Sequence, residues 1–90
     1  MNLRNFYDCI DKVVVYRGIN YYQSGEVWQI QEKKTGIYEA KVTGTYLYTV
    51  DVELKENYEV VAINCTCPYD QGPYCKHEVA VLCVRRDANT

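Results

Sequence analysis

The residues best suited to chemistry lie close together near the end of this 90-residue chain. They read Cys65-Thr66-Cys67, then seven residues, then Cys75-Lys76-His77. Three thiols and an imidazole form a normal tetrahedral donor set for Zn²⁺. Strand side chains two apart share a face, so Cys65 and Cys67 can reach one ion from the end of a strand. The seven-residue loop lets the chain turn back. Cys75 and His77 then enter from the start of a helix, where free amides stabilise thiolate charge. Lys76 between them can offset the net negative charge of a Cys3His zinc site. The alternative, buried thiols beside an unrelated histidine, needs four of the six Cys and His residues to fall within thirteen positions by chance. A Cys65–Cys67 disulfide would close a strained small ring. The expected cofactor is therefore one structural zinc ion, since four protein ligands leave no open position for water or substrate.

Little else suggests catalysis. His77 is the only histidine, and zinc claims it. Asp51, Glu53 and Asp70 are scattered, and no glycine-rich phosphate loop is present. No enzyme activity or small-molecule substrate is expected of this chain. Cys9 and Cys83 lie off the motif and are expected to be small core residues. Around the metal, Tyr69, Tyr74 and Lys76 are candidate contacts to a partner. Arg85 and Arg86 are a further pair that could touch phosphate, although they also suit the negative end of a helix dipole. Arg17 is expected to pair with an acid such as Glu26 or to anchor against a sheet, with a phosphate contact as the lesser alternative, and Gly18 to permit close helix–sheet approach.

The elements that must position these groups read as α+β: an N-terminal helix, a small antiparallel sheet, and a zinc-bound strand–loop–helix finger. One domain is expected over residues 1–90, with a helical lead-in (1–25), antiparallel strands (26–64) and the finger with its helix (65–86). Asn2 is predicted to cap a short helix with Leu3, Phe6 and Ile10 on one side. Asp11 is predicted to cap a second over Lys12–Ser24, with Gly25 as its left-handed stop. Val13-Val14-Val15 and Gly18 oppose that helix on propensity. Strands are predicted at 27–33, 37–43, 45–54 and 58–64. Tyr38, Ala40 and Val42 share one face, as do Tyr46, Tyr48, Val50, Val52 and Leu54, which describes a meander covered on one side. Trp28 and Ile30 are placed together in the core. The last helix is predicted from Lys76 to about Arg86.

Composition narrows the role. Twelve acids against ten Lys and Arg give a net charge of -2, and a bound zinc with three thiolates makes it more negative. Such a chain has no general attraction to phosphate backbones, so a nucleic-acid site would have to be a local patch. Ten tyrosines against one Phe and one Trp suit sheet faces and binding surfaces. No run approaches the roughly 20 apolar residues of a membrane helix. An odd cysteine count without an export signal points to reduced thiols and a cytoplasmic setting.

Cys-x-Cys, a loop, then Cys-x-His on a strand–loop–helix resembles the SWIM-type zinc finger. Cys67-Pro68, Cys75-Lys76-His77 and the following Ala80, Val81 and Leu82 carry the resemblance. Upstream, Arg17-Gly18, Tyr21-Tyr22, Gly25 and Val27 are similar to the segment preceding the finger in many bacterial members. The resemblance implies a zinc-dependent binding module that contacts proteins or DNA, found in helicase-like ATPases of the Swi/Snf type, transposase-related regulators and stand-alone proteins. The expectation is a module that binds a protein partner or neighbouring domain. The alternative is a nucleic-acid-binding module using Lys76, Arg85, Arg86 and Lys33-Lys34.

Overall fold

Alternating apolar residues with short polar breaks favour hairpins, and the computed structural model, which describes residues 1–69 and 72–88, contains a four-stranded antiparallel meander. Strands β1 (Val27–Lys34), β2 (Ile37–Thr43), β3 (Leu47–Leu54) and β4 (Val60–Cys65) lie side by side in chain order. Ala40 opposes Val50 and Tyr38 opposes Val52 across β2 and β3. Ala40, Val42, Val50, Val52 and Leu54 are buried on the shared apolar face. The first hairpin is tight. Gly36 has φ +80°, and its carbonyl accepts from the Leu54 N–H at 2.7 Å. A β-carbon there would stand 2.4 Å from the Leu54 carbonyl oxygen.

Three strand expectations need correction. Trp28 is exposed, while Ile30 packs against the core. The register slips between Trp28 and Gln31, where Gln29 adopts φ +52°. This bulge inserts a residue, so Val27 and Ile30, three apart, face inward and Trp28 faces out. The Trp28 indole N–H instead donates to Thr43 Oγ1 at 3.0 Å. Tyr46 falls outside β3, in a turn closed by a Gly44 N–H to Tyr46 carbonyl bond, and is 73% exposed. β4 starts two residues later than expected because Tyr58, at φ +66°, closes a turn with Lys55.

Three helices accompany the sheet: α1 (Phe6–Cys9), α2 (Lys12–Gln23) and α3 (Lys76–Ala88). Asn2 does not cap α1. It bridges to Glu59, the residue before β4, and its side chain accepts from the Arg4 and Asn5 N–H groups. Extended pairing wins at the terminus because the Leu3 N–H and Met1 carbonyl bond Tyr58 and Val60. Leu3, Phe6 and Ile10 are nonetheless buried. Asp11 caps α2, accepting from Val13 and Val14 N–H groups at 2.9 and 3.4 Å. The three valines remain helical because burial of Val14 and Val15 outweighs a small propensity penalty. Gly25, at φ +74°, ends the helix. Its N–H bonds the Tyr22 carbonyl and the Glu26 N–H bonds the Tyr21 carbonyl, the paired closure of a left-handed stop.

Helix α3 lies between α2 and the sheet. That position explains why Val79, Ala80, Val81, Leu82 and Cys83 are all fully buried, with no polar stripe among them. Gly18 serves helix–helix contact and not helix–sheet contact: a β-carbon there would lie 2.4 Å from Val79 Cγ1 and 3.0 Å from the Lys76 carbonyl oxygen. Cys83 is buried as expected, but Cys9 is exposed, because it ends a single-turn helix whose buried residue is Phe6. Asp70 and the polar residues 89 and 90 lie outside the described residues. No helix among the described residues is long and apolar enough to cross a membrane.

Candidate metal centre

Four chain positions converge where β4 ends and α3 begins. Cys65 is the last residue of β4. Pairing continues one residue further, with the Thr66 N–H donating to the Thr49 carbonyl at 3.1 Å and the Thr49 N–H to Thr66 Oγ1 at 3.0 Å. That extension keeps Cys65 and Cys67 in strand alternation, so both thiols face the same side. Cys75 immediately precedes α3, and His77 lies in its first turn. The ligand atoms of Cys65, Cys67, Cys75 and His77 all lie within 4.8 Å of one another. His77 Nδ1 is 3.8 Å from both Cys65 Sγ and Cys75 Sγ. Bonds of about 2.3 Å to sulfur and 2.0–2.1 Å to nitrogen at tetrahedral angles put ligand atoms roughly 3.5–3.8 Å apart. The geometry therefore fits a tetrahedral ion, with Nδ1 as the imidazole donor.

The electrostatics also call for a cation. Cys75 and His77 are 3% and 5% exposed. The neighbouring Cys65 thiol and then burial push the Cys75 thiol far above the usual range, and burial raises Cys67. Clustered thiols of this kind ionise together only when a divalent cation compensates the charge. The Cys75 sulfur also accepts from the Glu78 N–H at 3.5 Å, while the Cys75 N–H donates to Glu78 Oε1 at 2.7 Å. This is a reciprocal capping box with a thiol in place of the usual hydroxyl. Glu78 was missed in the sequence, although Cys75-x-x-Glu78 has the box spacing once cysteine is admitted at the cap.

His77 is oriented by rings. Tyr48 lies 4.6 Å away at an interplanar angle of 34°, and Tyr21 meets it edge-on at 5.3 Å. Its Nε2 is buried without a hydrogen-bond partner among the described residues. Gly44 abuts that atom, and a β-carbon there would be 3.0 Å from Nε2 and 2.9 Å from the Tyr48 ring.

The proposed contact residues divide into two groups. Lys76 lies over the Tyr21 ring at 5.2 Å. With Arg17, Pro68 and Tyr69 it lines a cavity of about 260 Å³ that reaches Cys67, Cys75 and His77. Tyr69 is exposed, and Tyr74 is half-buried against the core. Arg85 and Arg86 sit nine and ten positions along α3, about 13–15 Å from Lys76. Arg85 stacks on Tyr38 at 4.1 Å and donates to its hydroxyl at 3.3 Å. Arg86 donates to Asp87 at 3.0 Å and lies over Phe6. Lys33 is within 3.9 Å of Glu39. The expected Arg17–Glu26 pair does not form, and Arg17 makes no ion pair among the described residues.

Strand, loop, paired ligands and helix together define a zinc finger of the treble Cys, single His kind. Residues 48–82 match the SWIM zinc finger family, and the Cys3His cluster within them supports one structural zinc ion. No curated protein and no solved structure matches the chain.

Proposed function

We propose that this chain is a zinc-dependent interaction module that contacts a protein partner or a neighbouring domain through the surface beside its metal. The observation that carries this reading is the cavity lined by Arg17, Pro68, Tyr69 and Lys76 against the ligands. It offers an exposed aromatic ring and two cations on a scaffold stiffened by metal. A closed four-ligand centre supports a structural and non-catalytic metal. Thiolate ligands require reducing surroundings, which supports a cytoplasmic setting.

The nucleic-acid reading is second. It draws on Lys76, Arg85 and Arg86, but the two arginines are already engaged with Tyr38 and Asp87. The net charge of -2 also works against phosphate. A photo-cross-linking residue at Tyr69 should give a discrete protein adduct in cells, and the same residue at exposed Val61 should not. Fluorescence anisotropy with DNA and RNA oligonucleotides at about 150 mM salt, near physiological ionic strength, should show weak binding. Micromolar affinity lost on changing Arg85 and Arg86 to Ala, with the Tyr69 adduct found on nucleic acid, would make the second reading primary.

A further inference from the structure

Glu78 occupies an unexpected place for a carboxylate. It is 6% exposed, in a chain that is already acidic, beside three cysteines, and it precedes five fully buried apolar positions of α3. Burying a carboxylate is unfavourable unless hydrogen bonds compensate. An apolar residue would fill the same space without that penalty. The polar side chain must therefore satisfy a local requirement, and the hydrogen bonds identify it.

We propose that Glu78 is a positioning residue for the metal centre, holding Cys75 and His77 in ligating geometry through a capping box built on a metal-binding sulfur. The carboxylate accepts from the Cys75 N–H at 2.7 Å, and the Glu78 N–H donates back to Cys75 Sγ at 3.5 Å. The ring of contacts fixes the backbone between two ligands that lie only two residues apart. The Glu78 backbone N–H closes the ring on Cys75 Sγ and helps to orient that sulfur. A further bond, from the Val79 N–H to the Cys75 carbonyl at 3.2 Å, opens the helix from the same residue. The side-chain bond thus fixes the Cys75 backbone at the start of α3, with His77 carried inside the same turn. Without it the Cys75 N–H loses its acceptor, the first turn frays, and both ligands must be ordered by the ion itself.

The test measures zinc affinity of the full chain by chelator competition, with the spectrum of the cobalt(II)-substituted protein as a second readout. E78A should bind zinc about 10- to 100-fold more weakly, the range typical of lost outer-shell support, with a weakened thiolate-to-cobalt absorption band. E78Q keeps an oxygen acceptor at the same reach and should stay within a few-fold of the native protein. E78D keeps the charge but is one methylene shorter, and should fall below E78Q. V52A destabilises the core away from the site, so it should lower zinc affinity only through its loss of folding stability and leave the cobalt spectrum unchanged. The proposal is overturned if E78A matches native affinity, or if V52A weakens the thiolate-to-cobalt band as much as E78A does. It is also overturned if E78Q binds no better than E78D, a comparison that stands even if E78A fails to fold.

Discussion

Replacing Gly18 with alanine should destabilise this protein, against the usual trend for a helix interior. On propensity alone the change should favour α2 by about 0.8–1 kcal/mol. The surroundings oppose it. The new methyl would sit 2.4 Å from Val79 Cγ1, 2.5 Å from Val79 Cβ and 3.0 Å from the Lys76 carbonyl oxygen. Carbon atoms pack at roughly 3.5–4.0 Å, so α2 must retreat by about 1 Å. Rotating Val79 does not help, because its Cβ is itself too close and the residue is fully buried. Overpacking of this kind costs typically 1–3 kcal/mol and sometimes more. Backbone contact at Lys76 adds to it, so the net loss should be about 1–2 kcal/mol. The contact with the Lys76 carbonyl falls between Cys75 and His77, so zinc affinity should drop as well. Urea unfolding of the zinc-loaded protein gives the first quantity and chelator competition the second. Gly25→Ala is the comparison, because its φ of +74° makes it strained while nothing lies within 4 Å of an added β-carbon. It should lose stability without a matching loss of zinc affinity. If Gly18→Ala proves as stable as the native chain, the close approach of α2 to the first turn of α3 is wrong.

Three further outcomes are expected. Chelation should unfold the finger and α3, read by far-UV circular dichroism, because such sites contribute roughly 10–16 kcal/mol against about 5–15 kcal/mol for a whole domain; full helicity after metal removal would contradict this. Cys9 should react quickly with a thiol reagent in the zinc-loaded protein while Cys83, buried and with its thiol pushed up by that burial, stays protected; Cys9→Ser and Cys83→Ser should both retain one zinc per chain by atomic absorption. The Tyr22 hydroxyl donates to Asp87, and that bond, followed by Arg86, holds the Asp87 carboxyl below its usual range. Its contribution is full above the unfolded value near ~3.9 and is lost as pH falls through the lowered one, so D87N should flatten the acid limb of a stability–pH curve.

The four metal ligands and the meander were legible because their signals are local. Two thiols at strand spacing, two ligands at a helix start and apolar alternation in β2 and β3 each depend on a few neighbouring residues. The Asp11 cap and the Gly25 stop were readable for the same reason. What escaped depends on partners distant in sequence or on single backbone angles. Nothing in Val27–Lys34 announces that Gln29 adopts φ +52°, and that one angle moves Trp28 from core to surface. The role of Gly18 needed the knowledge that α3 lies against α2. Arg85 and Arg86 form a basic pair in the sequence, but Tyr38 and Asp87, which occupy them, can be identified only in three dimensions. Glu78 was legible in principle, hidden by the habit of looking for a hydroxyl at the cap.

The short pairing of the amino terminus with β4 bears on how the protein should be handled. The Met1 carbonyl accepts from the Val60 N–H, and the Leu3 N–H donates to the Tyr58 carbonyl, so the two segments run in opposite directions. Residues attached ahead of Met1, such as a purification tag, would leave along the outer edge of β4 toward Ala62 and Asn64. That edge is open in the sheet order and ends at Cys65. A polyhistidine tag placed there would bring extra imidazoles alongside the first metal ligand, where they could compete for zinc and distort titrations. A carboxy-terminal tag would instead follow α3, whose far end lies about 18 Å along the helix from its metal-bearing first turn. Zinc measurements on this chain are best made without a tag ahead of Met1.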